Sequence, residues 1–401
     1  MWLFFGGIVL LAYTGINIFT GVRFLSLVKY FLPSLKSFVF WPLYILFCYS
    51  FLFIMFLRLD GIRFLRQAAM YVLPFVVYFC LTLLVLDGVW LVLRFLNRVF
   101  LLSFICVRRE LPAVSAAWNG IALGLAILAM IYGSFHARDI RTVYYNVTLN
   151  KVDSGRSSQT AGLRITVISD LHLGVTVGRK WTANVVDAVN RTKPDLICIA
   201  GDIFDNDVDI VRDIDGVAAE LRRLRAPLGV YACPGNHDVD RLSLNALREG
   251  SSLDRIHDFL KKANVVFLLD EVELVADRFY LIGRKDARPI GLNQVRKSAA
   301  SLAADLDKSR PLIFLDHQPV DYRLEEEAGA DLILSGHTHR GQFFPGNIFT
   351  HFIYKKAGAV DYGLWQGRSA QGIVSSGAGL WGPPIRIATN SEVAVVEIKF
   401  K

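Results

Sequence analysis

Residues Ala330 to Arg340 read ADLILSGHTHR: an apolar run, then serine and glycine, then two histidines either side of a threonine. A short apolar run of this kind is a strand buried on both faces of a parallel sheet. In α/β layers a site gathers beyond the carboxyl ends of such strands, which is where His337 and His339 fall. Other strands of the same sheet should then end in chemistry too. They do: RITVISDLH ends in Asp170 and His172, LICIAGDIFD in Asp202 and Asp205, GVYACPGNHD in Asn236, His237 and Asp238, and LIFLDH in Asp316 and His317. One such tip is weak, because Asp and His in a turn are usually caps or surface pairs. Five in one domain, each directly after an apolar run, predict a shared metal site.

Between the tips the chain alternates strand and helix patterns. Trp181, Val185 and Val189 recur every four residues in a helix over Trp181 to Arg191 that Pro194 ends. A second helix is expected over Val217 to Leu224 and a third around Leu292 to Leu306, with later strands in VVFLLD, FYLIG, GIVSSGAG and EVAVVEIKF. The class is α/β, in a domain running from 163 to 401. Residues 137–162 read as a connecting strand, RTVYYNVTLN, followed by a linker of loop composition.

The first third is different. The chain is 53% hydrophobic, too apolar for an ordinary soluble enzyme, and the excess lies in four runs: Trp2 to Phe19, Phe38 to Leu57, Ala68 to Leu93 and Ala113 to Phe135. Each approaches the roughly 20 residues a helix needs to cross a bilayer, so residues 1–136 read as a four-span membrane domain. A cleaved signal peptide is a poor account of the first run, which lacks a basic start and precedes three more. Asp87 sits inside the third run and is either functional or close enough to an interface to snorkel, the reading that Arg94 two turns on favours. Residues 1–150 hold 12 Lys+Arg against 4 Asp+Glu, and the rest 32 against 32, so the net +8 belongs to the membrane part. Basic residues are balanced between the two faces, and the positive-inside rule does not orient the chain. The five cysteines form neither a disulfide framework nor a CxxC metal site.

The ordered set of tips resembles the calcineurin-like metallophosphoesterases, over about residues 163 to 400. The resemblance implies an α/β sandwich of two packed mixed sheets flanked by helices, following the four-helix transmembrane region. It further implies that Asp170, His172 and His339 hold one divalent metal, that Asn236, His317 and His337 hold a second, and that Asp202 bridges them. His237 is then the non-ligand histidine facing substrate, with Asp205 as its hydrogen-bonded partner. The chemistry is coherent: phosphoesters are anionic and repel hydroxide, and two cations about 3.5 to 4 Å apart screen that charge and lower the pKa of a water nucleophile. Ligands of mixed His, Asp and Asn type suit manganese first, then iron or zinc.

CPGNHD, SGHTHRGQ and GLWGPPIRI are similar to the branch described as transmembrane proteins with a metallophosphoesterase domain, whose relatives include lipid A pathway enzymes acting on UDP-2,3-diacylglucosamine. Many of that branch carry glycine where this chain has Arg340, which can clamp a second phosphate or pair with a nearby acid. Phe343 to Tyr354 strings aromatic residues towards Lys355 and Lys356, and is either core or an interfacial surface. The leading expectation is a membrane-embedded hydrolase of a lipid-linked phosphoester or pyrophosphate. The alternatives are a tethered enzyme acting on soluble nucleotides or phosphodiesters, and a non-enzymatic protein with a relic site. Expected partners are membrane lipids and the phosphorylated substrate, with no nucleic acid polymer. The expected location is a bacterial inner or plasma membrane, with the catalytic domain on the cytoplasmic side by resemblance to the lipid A enzymes.

Overall fold

The computed structural model describes residues 2–56, 63–100, 111–151, 162–205, 208–238, 252–287 and 295–401, in two compact units that divide between Ser134 and Phe135. The first unit is helical: α1 (Trp2–Phe31), α2 (Ser37–Phe56), α3 (Arg63–Met70), α4 (Val72–Phe100) and α5 (Pro112–His136). A helix satisfies its own backbone polar groups, as a segment in hydrocarbon must. Large apolar side chains such as Leu11, Val85 and Leu128 face outward, while hydroxyls pair between helices, Thr20 with Tyr44 at 2.7 Å and Thr14 with Tyr49 at 2.7 Å.

One expectation changes in this unit. Among the described residues three stretches are long and apolar enough to cross a membrane, Gly6–Phe31, Phe64–Val99 and Pro112–His136, where four were expected. The described apolar part of α2, Ser37–Leu52, is shorter, and Leu57 lies outside the described residues. Asp87 has an ion-pair partner within the unit. It pairs with Arg23 of α1 at 2.5 Å, and Arg94 lies over the Trp90 ring at 5.2 Å. A partner on another helix lowers the cost of an intramembrane carboxylate more directly than reaching for the interface.

The second unit holds two six-stranded sheets. The first runs β1 (Ile140–Leu149), β12 (Ser391–Phe400), β2 (Leu163–Ile168), β3 (Leu196–Ala200), β4 (Val230–Cys233), β5 (Val266–Phe267), parallel throughout except between β12 and β2. The strand read as a connector is thus an integral edge of this sheet, paired along its whole length with β12. The second runs β10 (Gly363–Gln366), β11 (Gln371–Val374), β9 (Leu332–Ser335), β8 (Leu312–Leu315), β7 (Phe279–Gly283), β6 (Glu271–Val275), antiparallel only at its two outer pairs.

Side chains alternate across each strand. Ile165, Val167, Cys198 and Ala200 of the first sheet meet Ile313, Leu315, Leu332 and Leu334 of the second in a common core. On the outer face of the first sheet, Ile168, Ile197 and Ile199 pack with α6 (Arg179–Arg191), α7 (Ile214–Leu221) and α8 (Ser252–Lys262). On the outer face of the second, Phe314 and Ile333 pack with α9 (Ala299–Ala303) and α10 (Tyr322–Ala328). The remaining helix is α11 (Gly346–Lys356). The helix expected around 292–306 shrinks to α9, capped by the Ser298 hydroxyl accepting from the Ser301 amide at 3.0 Å, and residues 292–294 lie outside the described residues.

Behind the second sheet a buried charge network fixes α10 to β8. Arg284 donates to Asp316 at 3.1 Å and Glu325 at 2.7 Å, and Arg296 joins Asp316 and Asp321. Removing one partner from such a network strands the others in low dielectric. Arg284→Met should therefore cost about 3–5 kcal/mol. Arg223→Met, which breaks surface pairs with Asp187 and Glu220, should leave stability nearly unchanged. Denaturant titration of the detergent-solubilised chain, followed by circular dichroism, separates the two.

Candidate metal centre

The strand tips meet at one edge of the sandwich, where the carboxyl ends of β2, β3 and β4 in the first sheet face those of β8 and β9 in the second. Leaving a strand and turning a side chain back towards the opposite sheet bends the chain sharply. Asp170, His172, Asp202, His337 and His339 all sit in the left-handed region, with φ between 47° and 74°. That conformation costs a non-glycine residue about 1–2 kcal/mol. Five such residues at one spot mark a place where position is held against local preference. The loops brace each other, as the Asp170 and His172 amides donate to the carbonyls of Gly201 and Asp202 at 3.0 Å each.

Three side-chain groups result among the described residues: the one that joins His172 to Asp205 and His237 holds the candidate proton donor, and the other two are ligand clusters. In the first, Asp170, His172 and His339 offer ligand atoms within 4.8 Å of one another, with His172 Nε2 2.9 Å from His339 Nε2 and Asp170 Oδ1 3.4 Å from His339 Nε2. In the second, Asp202, His317 and His337 do the same, with Asp202 Oδ2 3.2 Å from His317 Nε2. The same Asp202 oxygen lies 3.6 Å from His172 Nε2 and so faces both clusters. Asn236 stands in the adjoining turn, where the His237 amide donates to Asp202 Oδ1 at 2.8 Å. His337 and His339 go to different clusters, but not because they share a face of extended chain, as alternate residues would. Left-handed turns at both residues around a right-handed Thr338 aim them apart.

The electrostatics fit cations. Burial holds the His172 imidazole down at about 3 and that of His339 well below its ordinary value, so both present neutral nitrogens. Burial pushes Asp170 up to about 6. Burial disfavours the ionised forms of Asp202 and His317 as well, yet their mutual attraction outweighs it, holding the carboxyl well below and the imidazole well above their usual ranges. His317 Nδ1 lies 2.8 Å from the Ala200 carbonyl, which anchors the ring and turns Nε2 to the cluster, a common setting for a metal-ligating histidine. The buried Asn236 Oδ1 makes no hydrogen bond, an orphaned acceptor that a cation would satisfy.

The candidate proton donor lies beside the first cluster. The His237 ring is 4.9 Å from that of His172, and its Nδ1 is 3.9 Å from Asp205 Oδ1. That separation is an ion-pair distance, so the expected His237–Asp205 hydrogen bond is not formed. Arg340 stacks over the Tyr362 ring at 4.3 Å and makes no ion pair among the described residues.

Three residues that matter here had no role in the sequence. Asp238, next to His237, accepts the amides of Gly235, Ile203 and Phe204 at 2.8 to 3.1 Å and ties two tips together. Arg386, wholly buried in GLWGPPIRI, donates to the carbonyls of His339, Ser376 and Gly379, and burial lowers it to about 10. Gln342 clamps the backbone of Trp381, whose ring centroid is 6.1 Å from that of His237. An arginine between two isoleucines gives no sign that its partners are carbonyls.

Glycine is required where tips touch. A Cβ on Gly235 would lie 2.2 Å from the Asp202 amide nitrogen and Oδ1, and one on Gly201, at φ +76°, would lie 2.7 Å from the His317 ring. Gly235→Ala should therefore lower the bound metal per chain although glycine supplies no ligand, and Asp202→Asn should lower it further, both read by elemental analysis. Because ligands must be deprotonated, affinity at the Asp170 cluster should weaken as pH falls through about 6, by roughly tenfold per unit. Loading that is flat from pH 7 down to 5 would contradict this.

Known proteins agree with the geometry. Residues 163–341 match the calcineurin-like phosphoesterase family. An uncharacterized metallophosphoesterase of Campylobacter jejuni is 29% identical over 240 residues, 60% of this chain and 60% of that protein. A transmembrane protein with metallophosphoesterase domain from Danio rerio is 29% identical over 334 residues, 78% of this chain and 72% of its own length. Its namesake from Bos taurus is 31% identical over 244 residues, 58% and 52% respectively. This chain spans 60% of the length of the first of these relatives and about half of the last. The tips that carry the two ligand clusters thus belong to a calcineurin-like metallophosphoesterase domain, joined in this chain to apolar helices long enough to cross a membrane.

Proposed function

We propose that this chain is a membrane-embedded, dinuclear metal-dependent hydrolase that cleaves a phosphoester or pyrophosphate bond of a lipid-linked substrate. The observation that carries the chemistry is the single Asp202 oxygen lying 3.6 Å from His172 and 3.2 Å from His317, between two ligand clusters. Asp170, His172 and His339 would hold one ion, Asn236, His317 and His337 the other, with Asp202 bridging. Manganese is the first choice, iron or zinc the next. When bound, two such ions neutralise the nonbridging phosphate oxygens and supply a nucleophilic water near neutral pH.

The chain's own groups do the rest. Buried neutral imidazoles add no negative charge to the pocket, which keeps it attractive to an anionic phosphate. As water attacks phosphorus and the P–O bond to the leaving group breaks, His237 gives its proton to the departing oxygen. Asp205 stands beside it, Oδ1 3.9 Å from the Nδ1 atoms of both His237 and His172. Arg340, next in sequence to His339 of the first cluster, offers a guanidinium to a further phosphate.

The lipid half rests on the apolar helices. On this reading residues 1–136 cross a bacterial inner or plasma membrane four times, with α2 as the further span. Residues 137–401, whose first strand β1 is an edge of the first sheet, act on the cytoplasmic side. UDP-2,3-diacylglucosamine is the substrate to try first. Purified full-length protein with Mn²⁺ should release UMP and the lipid phosphate from it. Turnover of simple diesters or soluble nucleotides with none on any lipid-linked phosphate would sink the substrate, and no hydrolysis with any of the three metals would sink the class. His237→Gln should lose about 10²- to 10⁴-fold in kcat. Its bound metal should be unchanged.

A further inference from the structure

An ordinary surface helix buries its apolar stripe and shows water its polar one. In α11 (Gly346–Lys356) the faces are reversed. Ile348, Phe349, Phe352 and Ile353 are 42%, 64%, 65% and 60% exposed, and no residue of the helix is buried. The inward positions are Asn347, Thr350 and Tyr354, spaced for one face of a helix and only part-exposed. Thr350 Oγ1 donates to Asp361 Oδ2 at 3.0 Å, and the Asp361 carbonyl accepts from Thr338 Oγ1 at 2.5 Å. Thr338 lies between the two cluster histidines, so a polar clasp fastens α11 to the metal loop.

We infer that α11 is an interfacial helix whose outer face enters the surface of an anionic bilayer. Four large apolar side chains on one face, with Phe344 leading in, are a patch that a soluble surface rarely leaves uncovered. Charge selects the occupant: GNIFTHFIYKK has no acid and ends in Lys355 and Lys356, both exposed, which suits anionic head groups. The same chain carries helices long enough to cross a membrane, and three residues, Ala137 to Asp139, separate the last of them from β1. The inference deepens the lipid-linked reading, since a helix inserted beside the metal loop would bring head groups to the two clusters. Its position in the bilayer can nevertheless be read with no turnover at all.

The experiment uses the full chain in nanodiscs rich in phosphatidylglycerol, with an environment-sensitive fluorophore on Phe352→Cys and, as a second site, on Phe349→Cys. Cys48, Cys80, Cys198 and Cys233 are buried, and a labelled wild-type chain serves as the blank for Cys106. Expected are blue-shifted emission and quenching by nitroxides placed on the acyl chains, with quenching lost in K355E/K356E. Water-like emission at both sites would overturn the inference. So would a shifted emission that acyl-chain nitroxides leave unquenched, because a protein partner or a second copy would then cover the face. A Phe349→Ser/Phe352→Ser variant should keep its turnover of a soluble chromogenic diester but lose more than about tenfold on vesicle-borne substrate. Equal losses on both would overturn it as well. Quenching without hydrolysis of any lipid would leave α11 in the membrane and remove only the proposed substrate.

Discussion

Almost everything in the second unit is arranged around one buried carboxylate. Asp202 leaves β3 of the first sheet, meets His172 from β2 and His317 from β8 of the second, and accepts the amide that follows Asn236. A wholly buried carboxylate without such company would take up a proton instead of staying charged. The two sheets can bring their histidines to it only if both end at the same edge, and parallel strands in each sheet deliver that. The sandwich therefore fixes the distance between the clusters, and the clusters repay the desolvation of the carboxylate.

The strain at the tips is the counterpart. Five candidate ligands in the left-handed region would be an expensive way to build loops for their own sake. Arg386 shows how part of the expense is met away from the ligands, since its guanidinium gathers the carbonyl of His339 together with those of Ser376 and Gly379. Asp238 gathers amides in the same manner. One collects acceptors and the other donors, and between them they close the hydrogen-bond account of loops that cannot pair with a sheet.

Much of this was legible in the sequence, for reasons specific to each part. Strands buried on both faces write themselves as apolar runs, so LICIA and LILS were plain, and the polar residues that end them were plain by contrast. The assignment of His337 and His339 to separate clusters was legible only through resemblance, because turn conformation is not encoded in residue spacing. The pairing of Asp87 was not legible, because its partner, Arg23, is 64 residues away and nothing local advertises it. The aromatic stretch after Arg340 was undecidable from composition, since Phe is equally at home in a core and at an interface. The exposed phenylalanines and the clasp through Asp361 show which way the helix faces.

The pairing of β1 with β12 has a further meaning. The Ser391 hydroxyl, where β12 begins, donates to the Ala137 carbonyl just before β1, a contact between residues 254 apart in sequence. β12 also stands between β1 and β2 in the sheet. The strand that emerges from the helices thus has no neighbour until the far end of the domain has been synthesised, and neither does the near edge of β2. During translation the first sheet must wait, with one apolar edge open, while its middle strands already exist, and long-range pairings of this kind close slowly. Until then β1 keeps its pairing groups free for a strand that lies more than 240 residues further along the chain.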